Sequence, residues 1–199
     1  MSVAPWTVND EGYLRAYQWA GALAGGASLP TEGAATQLGP GEVAHGHFPV
    51  AVAGYFGEQR EYSRSLFLIG GPVGLAVTGA ASMANNAAKK REAERAALPR
   101  WHALGAADIV VTNQRLIATA KGQVGSFPYA DLGTLQLTAG ANGVPAVQLQ
   151  PAGQPVLRLE SPWVPTLYVF VHQLLDGRPP GIPMPAGLLE RAQREGRLR

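Results

Sequence analysis

The residues with the clearest capacity for chemistry are two histidines, His45 and His47, separated by a single glycine. They lie in segment 41–56, whose alternating apolar residues predict a β-strand. Side chains at positions i and i+2 of a strand face the same side, so both imidazoles can reach one metal ion. A catalytic site needs a third ligand, for which His102 and Asp108 are the candidates. The sequence favours two strand histidines without a metal, and a metal-dependent enzyme using His45 and His47 is the alternative.

Catalytic motifs that spacing alone would reveal are absent from the sequence. It contains no Gly-x-Ser-x-Gly nucleophile elbow, no His-Glu-x-x-His pair and no Gly-x-x-x-x-Gly-Lys phosphate loop. It contains no cysteine, which excludes disulfides, a thiol nucleophile and a thiolate metal site. We therefore predict a non-catalytic protein with no catalytic residues and no cofactor.

The candidate anion-binding residues are basic side chains near two predicted turns and at the end of one predicted helix. At the first turn, Glu58 and Glu61 oppose a polyanionic ligand and favour a solvated loop of mixed charge. After the second turn, Arg115 can contact a phosphate or can equally form a salt bridge or a hydrogen bond to a neighbouring loop. The basic residues on the helix can pair with neighbouring glutamates or rest on anionic lipid head groups. The formal net charge of +2 is too small to indicate nucleic-acid binding, which needs clustered positive charge. The candidates are Arg60, Arg64, Lys89, Lys90, Arg91 and Arg115.

An uncharged stretch of the sequence covers residues 65–88 and is rich in glycine and alanine. We predict a helix from Val73 to Ala97 that begins after Gly70-Gly71-Pro72. A membrane span near 66–88 is long enough, but Gly and Ala insert weakly compared with Leu or Ile. The favoured interpretation is a small-residue surface that another helix, a sheet or a membrane surface can approach closely. That surface comprises Gly74, Gly79, Ala80, Ala84 and Ala88.

The other predicted elements form a β-rich core with helices at its two ends. Two β-rich runs on either side of Thr112-Asn113-Gln114-Arg115 predict a hairpin, and Asn142-Gly143 predicts a second one. A helix is predicted over Val8–Ala24, with Asn9 or Asp10 as its N-cap. A second helix is predicted to begin at Ser161 and Pro162 and to end at Asp176-Gly177. Its apolar face comprises Trp163, Leu167, Phe170, Val171 and Leu174.

The motif Val111-Thr112-Asn113-Gln114-Arg115-Leu116-Ile117, with Gly41-Glu42 upstream, resembles the bacterial pleckstrin-homology-like (PH-like) and GRAM-like domains. Those domains share a similar strand turn, and a C-terminal helix plugs one open end of their barrel. The resemblance implies an α+β, mainly antiparallel fold: a PH-like small barrel capped by a C-terminal helix. An N-terminal helix and a long inserted helix would be additions to it. The resemblance implies the fold more strongly than a function, because this superfold includes lipid binders, peptide binders and scaffolds.

These expectations divide the chain into three parts. Residues 1–40 form an N-terminal helix and loop, and residues 41–177 form the PH-like domain with a helical insertion at 70–100. Residues 178–199 form a Pro-rich linker and a basic tail. We predict a cytoplasmic interaction module, with the inner face of the membrane as an alternative location. Its partner would be a protein, a second copy or a membrane surface, and an integral membrane protein with a cytoplasmic β-domain is a further alternative.

Overall fold

The computed structural model of the protein describes residues 5–57 and 98–198. These residues form three helices and seven strands. The helices are α1 (Val8–Ala24), α2 (Val164–Asp176) and α3 (Leu188–Arg194). The strands are β1 (Ala44–Phe56), β2 (Arg100–Thr112), β3 (Arg115–Ala120), β4 (Gln123–Pro128), β5 (Leu132–Ala139), β6 (Pro145–Pro151) and β7 (Val156–Glu160).

The seven strands form one antiparallel sheet in the order β4-β3-β2-β1-β7-β6-β5. Strands that are consecutive in the chain are neighbours in the sheet, except β4 and β5, which lie at its two edges. Strand β1 pairs with β2 on one side and with β7 on the other. The sheet is not closed, since no ladder joins β4 to β5 among the described residues. The predicted α+β, mainly antiparallel fold is therefore confirmed, whereas closure into a barrel is not.

The β1–β2 hairpin is much longer than the sequence indicates. Its ladder runs from Ala44↔Thr112 to Phe56↔Arg100, whereas the sequence predicts a strand only from Asp108. The first half of β2 lacks β-branched residues and contains Gly105 at φ +113°, beside a register shift opposite Val52 and Ala53. Local propensity is therefore weak there, and pairing with β1 determines the strand.

Two predicted turns have the backbone that their residues favour. Asn142 and Gly143 both have positive φ, at 54° and 73°, between β5 and β6. This geometry suits Asn-Gly in a tight hairpin. Gly177 ends α2 with φ 68°, as the predicted C-terminal glycine should.

The two longer helices match the predicted ranges with corrections at their starts. Helix α1 covers Val8–Ala24, but its N-cap is Thr7, which exchanges side-chain hydrogen bonds with Asp10 in a capping box. Helix α2 begins at Val164 rather than at Pro162. The Ser161 hydroxyl still accepts a hydrogen bond from the Trp163 N–H at 3.3 Å.

The main core lies between α2 and the sheet. Leu167, Phe170 and Val171 are buried there as predicted, and Trp163 and Leu174 are partly buried against the same cluster. Helix α1 packs on α2, and α3 packs on α1. Small residues of α1, Gly12 and Ala16, are buried, whereas Tyr17 is 39% exposed. Helix α1 therefore packs on α2 through its small residues rather than through Tyr17.

Several predictions fall on residues outside the described ranges. These are the helix at 73–97, the span near 66–88 and a strand returning from the first one, which the sequence also predicts over residues 62–69. Over Ala51–Tyr55, both edges of β1 are occupied, by β2 and by β7. Within residues 5–57 and 98–198, no helix has the length and apolar character needed to cross a membrane.

Candidate functional site

Arg115, one of the predicted anion-binding residues, forms a buried ion pair with Glu42. Its Nε and Nη2 donate to the two carboxylate oxygens at 2.8 and 2.9 Å. The Glu42 side chain has no exposed surface, and the Arg115 side chain is 31% exposed. A guanidinium fork on one carboxylate is the strongest geometry for such a pair. Arg115 therefore already holds an anion, supplied by its own chain.

The rest of the strand-turn motif binds the same segment before β1. The Thr112 hydroxyl donates to Glu42 at 2.8 Å, and the Gly39 N–H donates to its other oxygen at 2.7 Å. The Asn113 side chain accepts from the Val43 N–H at 2.9 Å. We call Glu42, Thr112, Asn113 and Arg115 the turn clamp. Gly41-Glu42 and the turn at Thr112–Arg115, which the sequence analysis compared with the same domains, are thus hydrogen-bonded to one another. The turn clamp holds residues 39–43 against the β2–β3 turn.

The clamp changes the acid–base properties of its members. Hydrogen bonds from Arg115, the Gly39 amide and Thr112 lower the pKa of Glu42 to about 2, although burial opposes this shift. Tyr129 donates from its hydroxyl to the Thr112 carbonyl at 2.6 Å. Burial, together with the negative charge of Glu42, raises the pKa of Tyr129 above its usual value. Both residues therefore keep their neutral-pH protonation states over a wide pH range.

The lowered pKa of Glu42 predicts a loss of stability in acid. The carboxyl titrates near 4.5 when unfolded and near 2 when folded, so its contribution is complete above pH 4.5. This contribution, about 3 kcal/mol, should disappear as the pH falls from 4.5 to 2. Urea unfolding of wild type and Glu42→Gln at several pH values measures it. The two proteins should differ most at pH 6 to 7 and converge towards pH 2, and a constant difference would contradict this assignment.

The two histidines have separate partners. His45 Nδ1 lies 2.7 Å from the Pro30 carbonyl oxygen, and His47 Nε2 lies 3.4 Å from Asp108 Oδ1. His102 is elsewhere, with Nε2 3.0 Å from the Phe56 carbonyl oxygen. Of the two proposed third ligands, only Asp108 is beside a histidine. The part of the chain that the structure describes contains no group of three side chains suited to holding a metal ion.

A second candidate region is the open end of the β1–β2 hairpin, where residues 57–99 join the sheet. Tyr55 and Trp101 are cross-strand neighbours with ring centroids 5.3 Å apart. Phe56 stacks on His102 at 4.4 Å, and the Arg158 guanidinium lies 4.4 Å from the Trp101 ring centroid. We call these five residues the aromatic end. Sequence analysis missed it, because its residues come together only through the β1–β2 and β1–β7 register.

The aromatic end lies where the two described ranges, 5–57 and 98–198, are adjacent in the β1–β2 ladder. Most of the predicted interaction residues lie between the two described ranges. They are Arg60, Arg64, Gly74, Gly79, Ala80, Ala84, Ala88, Lys89, Lys90 and Arg91. Of the binding candidates, only Arg115 is described, and it belongs to the turn clamp at the other end of β2.

The chain was compared with protein-family models, with curated proteins and with solved structures, and no match was found in any of the three comparisons. Its own residues and contacts are therefore the basis for the function proposed for it.

Proposed function

We propose that the protein is a non-catalytic interaction module of the PH-like, GRAM-like type. Its β-rich core presents the segment between β1 and β2, which docks on a membrane surface or on a second copy of the chain. The observation that carries this proposal is the pairing of Phe56 with Arg100 at the end of the β1–β2 ladder. A rigid hairpin of two 13-residue strands thus holds both ends of the segment at one end of the sheet.

The strand order supports the PH-like part of the proposal. A meander of four strands and a second meander of three are followed by a helix, and this helix agrees with the C-terminal helix that the resemblance implies. Helix α2 packs across β1, β2, β5 and β6, so one helix contacts both meanders. The turn clamp supports the same assignment, since Gly41-Glu42 and the Thr112–Arg115 turn are in direct contact.

The composition of the segment supports the docking part. Residues 65–88 carry no charge, and basic residues lie on both sides of them. Small side chains permit close approach of another helix, and flanking Lys and Arg favour anionic lipid. At the aromatic end, Tyr55 and Trp101 are residue types that suit a boundary between water and an apolar phase.

Two charge substitutions within the segment test this proposal. Gly79→Glu and Ala84→Glu should abolish co-sedimentation with anionic phospholipid vesicles, or should reduce the solution mass if wild type self-associates. A glutamate placed in an apolar contact must be desolvated, which opposes either kind of docking. Ala35→Glu adds the same charge at an exposed loop position and should behave as wild type. Wild type that neither binds vesicles nor self-associates would overturn the proposal.

A further inference from the structure

The chain has a second concave surface on the other side of the fold, between α1, the start of α2 and the first half of β1. A cavity of about 200 Å³ lies there beside a wider depression of about 680 Å³. Arg15, Trp19 and Trp163 line both. We call this surface the indole groove. It contains none of the residues of the turn clamp or the aromatic end.

The floor of the groove is a set of interlocked rings. Trp19 meets Phe170 edge to face at 5.2 Å, and Phe48 meets Phe170 in the same way at 6.0 Å. Position 46 is a glycine, and a β-carbon there would lie 2.6 Å from the Phe48 ring and 3.3 Å from the Phe170 ring. Edge-to-face contacts of this kind fix ring positions, so the apolar wall is formed before a ligand arrives.

The rim supplies one uncommitted positive charge. The Arg15 guanidinium lies 5.8 Å from the centroid of the Trp163 ring. The carboxylate one turn earlier on α1, Glu11, is engaged by Arg197 from beyond α3. Among the described residues, Arg15 forms no ion pair. Its guanidinium is therefore placed beside an indole and is available to a carboxylate, which it can bind through two parallel N–H groups.

The remaining charged lining residue narrows the choice of ligand. Glu32 lines the same cavity and forms no ion pair within the described ranges. A second negative charge on a ligand would be repelled by it, so a monoacid fits better than a diacid. The size of the inner cavity suits one ring rather than a larger molecule.

From these observations we infer that the indole groove binds a small single-ring aromatic monocarboxylate. The ring lies against Trp19, Trp163 and the Phe48–Phe170 floor, and the carboxylate pairs with Arg15. This inference is independent of the docking function of residues 57–99.

Titration with phenylacetate, followed by NMR of the tryptophan indole N–H groups, tests the inference. The Trp19 and Trp163 signals should shift with a saturable dependence on concentration. The Trp101 signal, at the aromatic end, should not move. Phenylacetamide has the same ring and no charge, and its affinity should be lower than that of phenylacetate by about tenfold or more. An absence of saturable shifts with phenylacetate, or equal affinity for the acid and the amide, would overturn the inference.

A matched pair of variants tests the role of Arg15 itself. Arg15→Gln should weaken phenylacetate binding about tenfold or more while leaving the affinity for the amide unchanged. Arg194→Gln removes an exposed arginine of α3 and should keep the affinity of wild type. Arg15→Lys keeps the positive charge but loses the two parallel N–H groups of the guanidinium. Its affinity for phenylacetate should lie between the affinities of Arg15→Gln and wild type. Unchanged phenylacetate affinity in Arg15→Gln would overturn the assignment.

Discussion

Substitution of Gly12 by alanine is expected to cost about 3 kcal/mol or more of unfolding free energy. Gly12 is buried in α1, and a β-carbon there would lie 1.7 Å from the carbonyl oxygen of Pro162. That oxygen belongs to the backbone just before α2, so it cannot rotate away as a flexible side chain would. Helix α1 must separate from α2, which loosens the packing of Ala16 and Trp19 on the core. Overpacking normally costs 1 to 3 kcal/mol, and a rigid backbone neighbour places this site at or above that range.

Gly21 in the same helix provides the control. It is exposed, and nothing lies within 4 Å of a β-carbon built there. Gly21→Ala should therefore stabilise the protein by about 0.5 to 1 kcal/mol, since alanine restricts the unfolded chain more than glycine. Urea denaturation of both variants measures the difference. If Gly12→Ala were as stable as Gly21→Ala, the observed packing of α1 on α2 would be wrong.

Replacing Arg115 by leucine is the second change with a large expected effect, a loss of about 3 to 5 kcal/mol. The Glu42 carboxylate would keep its fully buried position without its two guanidinium hydrogen bonds. The cost arises mainly from this unpaired buried charge and only partly from the lost attraction. The pKa of Glu42 should rise as well. The loss of stability of Arg115→Leu relative to wild type should therefore be smaller at pH 4 than at pH 7.

The double variant Glu42→Leu/Arg115→Leu distinguishes the cost of the unpaired buried charge from the loss of the attraction between Glu42 and Arg115. Removing both charges relieves the buried carboxylate, so the double variant should be more stable than Arg115→Leu alone. It should remain below wild type, because the Gly39 amide loses its acceptor. Thermal or urea unfolding at pH 7 measures all three proteins. A loss below about 1 kcal/mol in Arg115→Leu would mean that the pair behaves as an exposed one.

Local signals in the sequence are sufficient for several elements. The bounds of α1, the turn at Asn142-Gly143 and the end of α2 at Gly177 all depend on residues close in the chain. Capping side chains, positive φ and helical periodicity are properties of short segments, so they can be recognised without a fold. The Thr7 cap was missed because Asn9 and Asp10 are equally good capping residues by type.

Features that depend on distant residues could not be predicted in this way. Glu42 and Arg115 are 73 positions apart, and each was noted separately without being paired. The first half of β2 is a strand because β1 lies beside it, not because Arg100–Ala106 favours extended structure. The closeness of Gly12 to Pro162 depends on how α1 packs, and no spacing in the sequence indicates it. The ring floor of the indole groove likewise combines three separate elements.

Because Phe56 and Arg100 are cross-strand partners, their α-carbons are separated by about the width of one strand pair, roughly 5 Å. A chain that leaves and re-enters at so small a separation can change its length without displacing either strand. The entropy of closing such a loop grows only logarithmically, by about 0.6 kcal/mol for each doubling of its length. A connection of different length between Phe56 and Arg100 would therefore change the entropy of closing the chain there by only a small amount.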